Sequence, residues 1–174
     1  MSFNLAVILS ETARRSPDKT VTILGDSRMS YGELDELSGR LAAGLAASGI
    51  GPGDVVALQL PNIPQFLIAY FGILKAGGVV VPLNVLLKAP EVAYHLRDCS
   101  AKAFITWAGV LAEAAPGAKE AGVTQVYAVG GGAVPFEQLL SAPAEQSRRW
   151  YAISGALSST FRGTTTPPAL RMPK

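Results

Sequence analysis

One largely apolar stretch at residues 54–84, DVVALQLPNIPQFLIAYFGILKAGGVVVPLN, constrains the fold of this chain more than any other. Its first part, residues 55–60, is typical of a strand that is buried on both faces. Apolar residues at helical spacing follow, and a second apolar run at 79–81 ends at Pro82. A strand, a helix and a strand of these lengths form a βαβ unit with parallel strands, so the stretch predicts an α/β fold.

The helix of this unit is predicted to begin near a proline and to end at a glycine pair. Asn62 and Gln65 have the spacing of reciprocal capping residues, and Pro64 falls in the first turn, where its missing N–H costs nothing. Gly77 and Gly78 supply the left-handed residue that ends a helix. The predicted core positions of the unit are Val55, Ala57, Leu58, Leu60, Phe66, Ala69, Tyr70, Ile73, Val80 and Val81.

The absence of charge from residue 55 to residue 74 raises the alternative of a membrane-spanning helix. Pro61, Asn62 and Pro64 interrupt the middle of that run, and the buried βαβ unit is therefore the preferred interpretation. The N-terminus has neither the basic region nor the long apolar run of a signal peptide. The single Cys99 excludes an internal disulfide and fits a reducing compartment, so we expect a cytoplasmic protein.

The segment before this unit predicts a helix, a β-hairpin and a longer helix. Ser30 and Glu33 have the spacing of a capping box at the start of the longer helix. The predicted elements are an amphipathic helix at residues 3–15, strands at 20–24 and 28–30, and the long helix that Gly49 ends.

After the unit, strands and helices continue to alternate. The predicted elements are a helix that starts at Pro90 and Glu91, a strand at 103–107, a short helix at 110–115 and a strand at 126–129. This alternation predicts a doubly wound, mostly parallel sheet with helices on both faces.

Two further features are candidates for a ligand site. The Gly130-Gly131-Gly132 run follows a strand, as a phosphate-binding turn does, but Pro135 stands where a dinucleotide fingerprint needs its third glycine, which favours a plain loop. His95 is the only histidine, and a single imidazole does not form a metal site. We expect a structural role for it, and we predict no catalytic residue and no metal ligand.

A set of short motifs carries a family resemblance. These motifs are Gly53-Asp54-Val55, Pro61-Asn62, Phe71-Gly72-Ile73, Lys75-Ala76-Gly77, Pro82-Leu83-Asn84, and Glu91 with Tyr94-His95-Leu96. Over roughly residues 1–140 the chain resembles the N-terminal region of adenylate-forming (AMP-binding) enzymes, and most closely the bacterial long-chain fatty-acid–CoA ligases. The resemblance implies a truncated N-terminal portion of such a ligase, with part of the N-terminal subdomain of that fold.

The resemblance also implies a chemistry. Enzymes of this family join a carboxylic acid to ATP, which gives an acyl-adenylate and pyrophosphate, and then pass the acyl group to coenzyme A. The resemblance therefore implies ATP, Mg²⁺ and coenzyme A as family cofactors, a fatty acid as substrate, and a peripheral membrane location for the parent enzyme.

The phosphate-binding loop of the family, T-S-G-T-T-G-x-P-K-G, is matched only in degenerate form by FRGTTTPPAL near the end of the sequence. Gly163, Thr164 and Thr165 match the loop and are the only candidate cofactor-binding residues. Thr166 replaces a glycine, and Ala169 replaces the lysine whose charge the phosphates need. We therefore expect this chain to bind none of these cofactors and to form no adenylate.

The balance of charge changes sign at about residue 147. Residues 1–146 contain ten basic and thirteen acidic residues, whereas residues 147–174 contain five basic residues and no acidic one. Five scattered charges without interleaved aromatic residues do not predict nucleic-acid binding. We expect an α/β portion at 1–146 and a divergent, poorly ordered basic tail at 147–174.

Three hypotheses about function follow. The first is the truncated ligase portion, inactive by itself. The second is a non-catalytic interaction module with the same fold. The third is an unrelated small α/β protein that binds a nucleotide at the ends of its strands.

Overall fold

From residue 31 to residue 129, helices and strands alternate along the chain. The structure is a computed structural model, and it describes residues 4–132 and 134–141. Its elements are α1 (Ala6–Arg15), β1 (Thr20–Leu24), β2 (Ser27–Ser30), α2 (Tyr31–Ala47), β3 (Val55–Gln59), α3 (Pro64–Lys75), β4 (Val79–Pro82), α4 (Ala89–Asp98), β5 (Ala103–Trp107), a 3-10 turn (Ala108–Val110), α5 (Leu111–Ala121), β6 (Gln125–Val129), β7 (Val134–Pro135) and α6 (Glu137–Leu140).

The central sheet has five parallel strands in the order β4-β3-β5-β6-β7. Strands β1 and β2 form a separate antiparallel hairpin. The βαβ unit predicted from residues 54–84 is present as β3, α3 and β4, with Val56 of β3 beside Val80 of β4. The predicted α/β class is therefore confirmed, and β7 is a short strand that the sequence analysis did not include.

Helices cover both faces of this sheet. Val56, Leu58 and Ile105 belong to the larger apolar cluster, in which they are buried with residues of α1, α2, α3 and α6. Ala57 and Phe104, which alternate with them along the strands, are buried with residues of α4 and α5. The period of two along each strand therefore assigns its side chains to two helical layers, as a doubly wound sheet requires.

The predicted core was wrong at five positions. Val55, Phe66, Tyr70, Val80 and Val81 are only partly buried. The valines of β4 are incompletely covered because β4 is the outermost strand on its side of the described sheet, and its first residue, Val79, is 47% exposed. On α3 the buried positions are instead Ile68, Ala69, Gly72, Ile73 and Lys75.

The predicted start of α3 was also wrong in its capping. Ile63 precedes the helix in an extended conformation, and no side chain caps the N-terminus. Pro64 is the first helical residue, as the sequence predicts. A residue before a proline is driven out of the helical region, so Ile63 takes the position before the helix and Asn62 lies one residue too early to cap it.

Helix α5 is longer than the predicted helix at 110–115. It continues through Pro116, which removes a backbone donor inside the helix, and it ends at Ala121. Ala114 and Ala118, on either side of Pro116, are fully buried in the cluster shared with α4. This packing offsets the local cost of the proline, which the sequence pattern could not weigh.

Two other predictions concern the boundary between the α/β portion and the tail, and the alternative of a membrane-spanning helix. The predicted boundary at residue 146 and the tail at 147–174 lie outside the described residues. None of the helices within the described ranges is long and apolar enough to cross a membrane.

A buried lysine joins the helices of the larger layer. Lys75, the last residue of α3, is 4% exposed, and its Nζ donates hydrogen bonds to the Asp35 main-chain oxygen at 2.7 Å and to Asp35 Oδ1 at 2.9 Å. It also donates to Ser38 Oγ at 2.7 Å. Ser10 of α1 donates to Asp35 Oδ1 at 3.2 Å, so the Lys75–Asp35 pair connects three helices.

Burial lowers the pKa of Lys75 from 10.5 to about 8, although the Asp35 carboxylate acts in the opposite direction. Desolvation penalises the charged ammonium more than the carboxylate and its hydrogen bonds stabilise it. The unfolded chain therefore binds this proton more tightly than the folded one. The penalty is fully present below about pH 8 and is relieved as the pH rises towards the unfolded value.

Replacement of Lys75 by methionine should remove this pH dependence. Between about pH 8 and 10.5 the free energy of unfolding of the natural chain should rise, relative to that of Lys75→Met, by roughly 3 kcal/mol in total. Denaturant unfolding at a series of pH values measures it. Lys88→Met is the matched control, because the Lys88 side chain is 70% exposed. If the free energy of unfolding varied with pH in the same way for the natural chain and for Lys75→Met, the lowered pKa of Lys75 would be contradicted.

Leu58 should be a major contributor to the stability of the sheet, because it is fully buried at the centre of β3. Leu58→Ala should lower the free energy of unfolding by about 2–5 kcal/mol, as large-to-small changes in packed cores do. Leu86→Ala, at a position that is 78% exposed, should change it by less than about 0.5 kcal/mol. Equal effects of the two substitutions in denaturant unfolding would show that Leu58 is not packed in the core.

Candidate ligand site at the carboxyl edge of the sheet

The direction in which the chain winds changes between β3 and β5. From β3 the chain passes through α3 to β4 on one side, and it then crosses to β5, β6 and β7 on the other. Open α/β sheets bind ligands outside the carboxyl ends of their strands at such a switch point. The carboxyl ends of β3 and β5 are therefore the first place to look for a ligand site.

Two polar side chains bridge these strands at the switch point. Gln59 and Thr106, at the ends of β3 and β5, are both fully buried and lie beside each other in the sheet register. Thr106 Oγ1 donates to Gln59 Oε1 at 3.1 Å, and Gln59 Nε2 donates to the Asn84 main-chain oxygen at 3.0 Å. Because they are buried and bonded to each other, these groups hold the ends of β3 and β5 together at this edge.

The Asn84 contact fixes the loop that follows β4. Asn84 Oδ1 accepts a hydrogen bond from the Leu86 N–H at 2.9 Å, and the Asn84 main-chain oxygen accepts one from the Leu87 N–H at 3.3 Å. Gln59 therefore holds a turn that presents Leu86, the most exposed large apolar residue of the described chain, to solvent.

An acidic side chain of α5 fastens the start of α4 at the same edge. Glu113 Oε2 accepts a hydrogen bond from the Ala89 N–H at 3.0 Å. That bond, more than the nearby Lys88 ammonium, lowers the pKa of the Glu113 carboxyl. Glu113 thus satisfies an N-terminal donor of α4 with a residue from a different helix.

An aromatic residue and two glycines complete the edge. Trp107, the last residue of β5, is 38% exposed. A Cβ built on Gly109 would lie 2.4–2.6 Å from three atoms of its six-membered ring, so the indole lies directly over that glycine. Gly130 follows β6 and has a φ of +89°. It lies beside the indole nitrogen, since a Cβ built on it would be 4.0 Å from Trp107 Nε1.

The residues that the sequence analysis singled out lie elsewhere. Gly163, Thr164 and Thr165 are outside the described residues, and their role stays a prediction. His95 is half-buried on α4, with its ring 5.4 Å from that of Tyr94. Cys99 follows the same helix.

The Cys99 thiol has the surroundings of a packing residue. Burial raises the pKa of the Cys99 thiol, which disfavours the nucleophilic thiolate. Within residues 4–132 and 134–141, no group of three or more His, Cys, Asp or Glu side chains could hold a metal ion.

Sequence analysis missed the residues that build this edge. Gln59 and Thr106 each occupy the final part of an otherwise apolar strand, and Trp107 ends the second of them. A polar residue at the carboxyl end of each of two buried strands is a signal that the sequence contains. Its meaning depends on the strand order, which places β3 beside β5 although a helix, a strand and another helix separate them in sequence.

The architecture by itself defines a class of protein. It is an open parallel α/β sheet whose carboxyl edge carries the ligand-facing loops, as in the nucleotide-binding doubly wound proteins. A family model described as "AMP-binding enzyme" matches residues 9–170. The chain belongs to the AMP-binding enzyme family.

Three similar proteins illustrate the relationship. The long-chain-fatty-acid–CoA ligase of Bacillus subtilis is 40% identical over 102 residues, which cover 59% of this chain and 18% of that protein. A benzoate CoA ligase from Burkholderia xenovorans matches with a TM-score of 0.75 and 29% identity, over 81% of this chain and 29% of that one. The N-terminal domain of FACL13 from Mycobacterium tuberculosis matches with a TM-score of 0.73 and 32% identity, over 83% and 38%.

This chain therefore spans less than two fifths of each of these proteins. The described α/β portion corresponds to the N-terminal part of the CoA-ligase fold, which confirms the resemblance read from the motifs.

Thr106→Val should destabilise the chain by about 1–3 kcal/mol, because the isosteric change leaves the buried Gln59 Oε1 without its donor. Thr22→Val is the matched control. The buried Thr22 hydroxyl has no hydrogen-bond partner among the described residues, so its loss should be neutral or stabilising. Chemical denaturation of both variants gives the comparison, and equal small effects would show that the Gln59–Thr106 bond carries no stability.

Proposed function

We propose that this chain provides the N-terminal α/β portion of an ATP-dependent acid–CoA ligase that acts on a fatty acid. The observation that carries the proposal is the combination of the family match over residues 9–170 with sheets of the same architecture in a benzoate CoA ligase and in the FACL13 N-terminal domain. The choice of a fatty acid rests on the B. subtilis relative, which is named a long-chain-fatty-acid–CoA ligase.

ATP supplies the group that activates the carboxylate in such a reaction, and coenzyme A accepts the acyl group. Among the described residues, the part suited to face these ligands is the carboxyl edge, with the loop after β4, Trp107 and the glycines after β6. The candidate phosphate contacts Gly163, Thr164 and Thr165 belong to the same proposal. The described residues contain no cluster suited to Mg²⁺, so we assign no step to a metal held by them.

We further propose that the chain by itself does not activate a carboxylic acid. The sequence that resembles the phosphate loop has Ala169 at the position of the lysine and Thr166 at that of a glycine. Without the lysine, one positive charge is missing where the phosphates of ATP gain negative charge as pyrophosphate leaves. Without the glycine, the loop loses a residue free to adopt positive φ.

The purified chain, incubated with ATP, Mg²⁺, palmitate and coenzyme A, should release no palmitate-dependent pyrophosphate. The B. subtilis ligase, assayed in parallel, provides the positive control. Pyrophosphate release by this chain above a palmitate-free blank would overturn the proposed inactivity while leaving the family assignment intact.

A chimera tests the positive part of the proposal. Residues 4–141 should replace the corresponding segment of the B. subtilis ligase and retain palmitoyl-CoA formation, because the two share the fold that supports the site. The chimera with the benzoate ligase segment is the matched control for the cost of substitution. A chimera that unfolds cooperatively, and so is folded, but forms no palmitoyl-CoA while the control does would contradict the proposal.

A further inference from the structure

A groove lies beside the first residues of β6, at the end of the sheet opposite the candidate ligand site. β7 pairs only with Tyr127 and Ala128, so among the described strands none lies next to Gln125 and Val126 on that side. The end of α2 and the short α6 form the walls of this space, which has a volume of about 580 Å³. Its lining includes Ala47, Ser48, Val126, Val134, Leu139 and Ser141, and we call it the β6 groove.

The lining of the β6 groove is uncharged. None of the described residues that form it is acidic or basic. Tyr127 OH donates to Gln125 Oε1 at 3.4 Å, and Gln125 Nε2 donates to the Ser48 main-chain oxygen at 3.1 Å, so these polar groups satisfy one another. Val134 and Leu139 add aliphatic surface. A charged small molecule would lose hydration here without gaining an opposite charge, so the groove suits an apolar occupant.

The chain reaches this groove at Ser141, the last described residue, which lines it. Tight packing of α6 on α2 brings it there. A Cβ built on Gly44 of α2 would lie 2.2 Å from the Leu139 main-chain oxygen, and the side chains of Phe136 and Leu139 are buried. Residues 142–174 therefore continue from a fixed point at the groove.

The first large apolar side chains after Leu140 are Trp150 and Tyr151. Trp150 is the ninth residue after Ser141, and nine extended residues span up to about 30 Å, so it can reach any part of the groove. The family match continues through residue 170 and so includes this segment. Because the segment is tethered at the groove, its docking is intramolecular and avoids the cost of bringing two molecules together.

We propose that residues 142–151 fold back over the β6 groove, with Trp150 and Tyr151 packed on its aliphatic surface. The inference goes beyond the proposed function and does not rest on it. In this arrangement the segment covers the part of β6 that has no neighbouring strand, which protects an open sheet edge. It also moves the end of the α/β portion, which the change of charge predicts at residue 146, to Tyr151.

Fluorescence tests the burial of Trp150. The sequence contains two tryptophans, Trp107 and Trp150, so Trp107→Phe leaves Trp150 as the only one. In the full-length Trp107→Phe chain, tryptophan emission should lie at a shorter wavelength, and acrylamide should quench it less, than in the same chain unfolded in urea. Emission and quenching equal to those of the unfolded chain, while circular dichroism shows a folded protein, would overturn the proposal.

A charge placed in the groove tests where Trp150 packs. In the Trp107→Phe background, Ala47→Glu adds a carboxylate to the lining and should shift the emission to a longer wavelength and increase its quenching. Ala112→Glu is the matched control, at an exposed alanine of α5 outside the groove, and should change neither. Unchanged shielding in Ala47→Glu would place Trp150 elsewhere, and shielding lost on dilution would assign it to a second copy of the chain. Either result would overturn the proposal.

Limited proteolysis tests the natural chain without a substitution at Trp107. Trypsin should cut after Arg149 more slowly than after Arg162, because the first cut requires the segment to leave the groove. Mass spectrometry of the products gives both rates. Ala47→Glu should accelerate the cut after Arg149 and leave the cut after Arg162 unchanged. Equal rates at the two sites in the natural chain would overturn the proposal.

Discussion

The ammonium group of Lys75 is the interaction on which the helical layer of this fold depends. It lies at the end of α3, is almost fully buried, and binds the carboxylate and a main-chain oxygen of Asp35 together with the Ser38 hydroxyl. Burying this charge is costly, as the lowered pKa shows. Its hydrogen bonds offset part of that cost and set the position of α3 against α2, a specificity that apolar packing alone supplies less sharply.

The packing of α3 against α2 explains two of the motifs that carry the family resemblance. In Lys75-Ala76-Gly77 the lysine makes the buried contact, and Gly77 adopts the left-handed conformation, with φ of +79°, that turns the chain from α3 towards β4. In Phe71-Gly72-Ile73 the glycine lets α3 approach α2, because a Cβ there would lie 2.4 Å from Leu41 Cδ2. These two motifs therefore specify how α3 packs against α2 and how the chain turns towards β4.

The candidate ligand site is built at the other end of the same strands, where β3 and β5 reach the carboxyl edge of the sheet. Gln59 and Thr106 form hydrogen bonds to each other and to the loop after β4, so that two uncharged side chains hold this loop in place. Leu86 and Trp107 remain exposed on this support. Under the proposed function, this edge is the part of the described chain that supports ligand binding. The residues expected to bind phosphates lie in a different part of the sequence.

Local sequence determined what depends on neighbouring residues alone. The capping box of Ser30 and Glu33, the βαβ unit and the α/β class could all be predicted, because caps and hydrophobic periods act over a few residues. Only the tertiary structure decided that Val79 lies at an edge and that Pro116 is tolerated inside α5. It also decided that Gln59 meets Thr106. Strand order and helix packing fix these outcomes, and both arise from contacts between residues far apart in the chain.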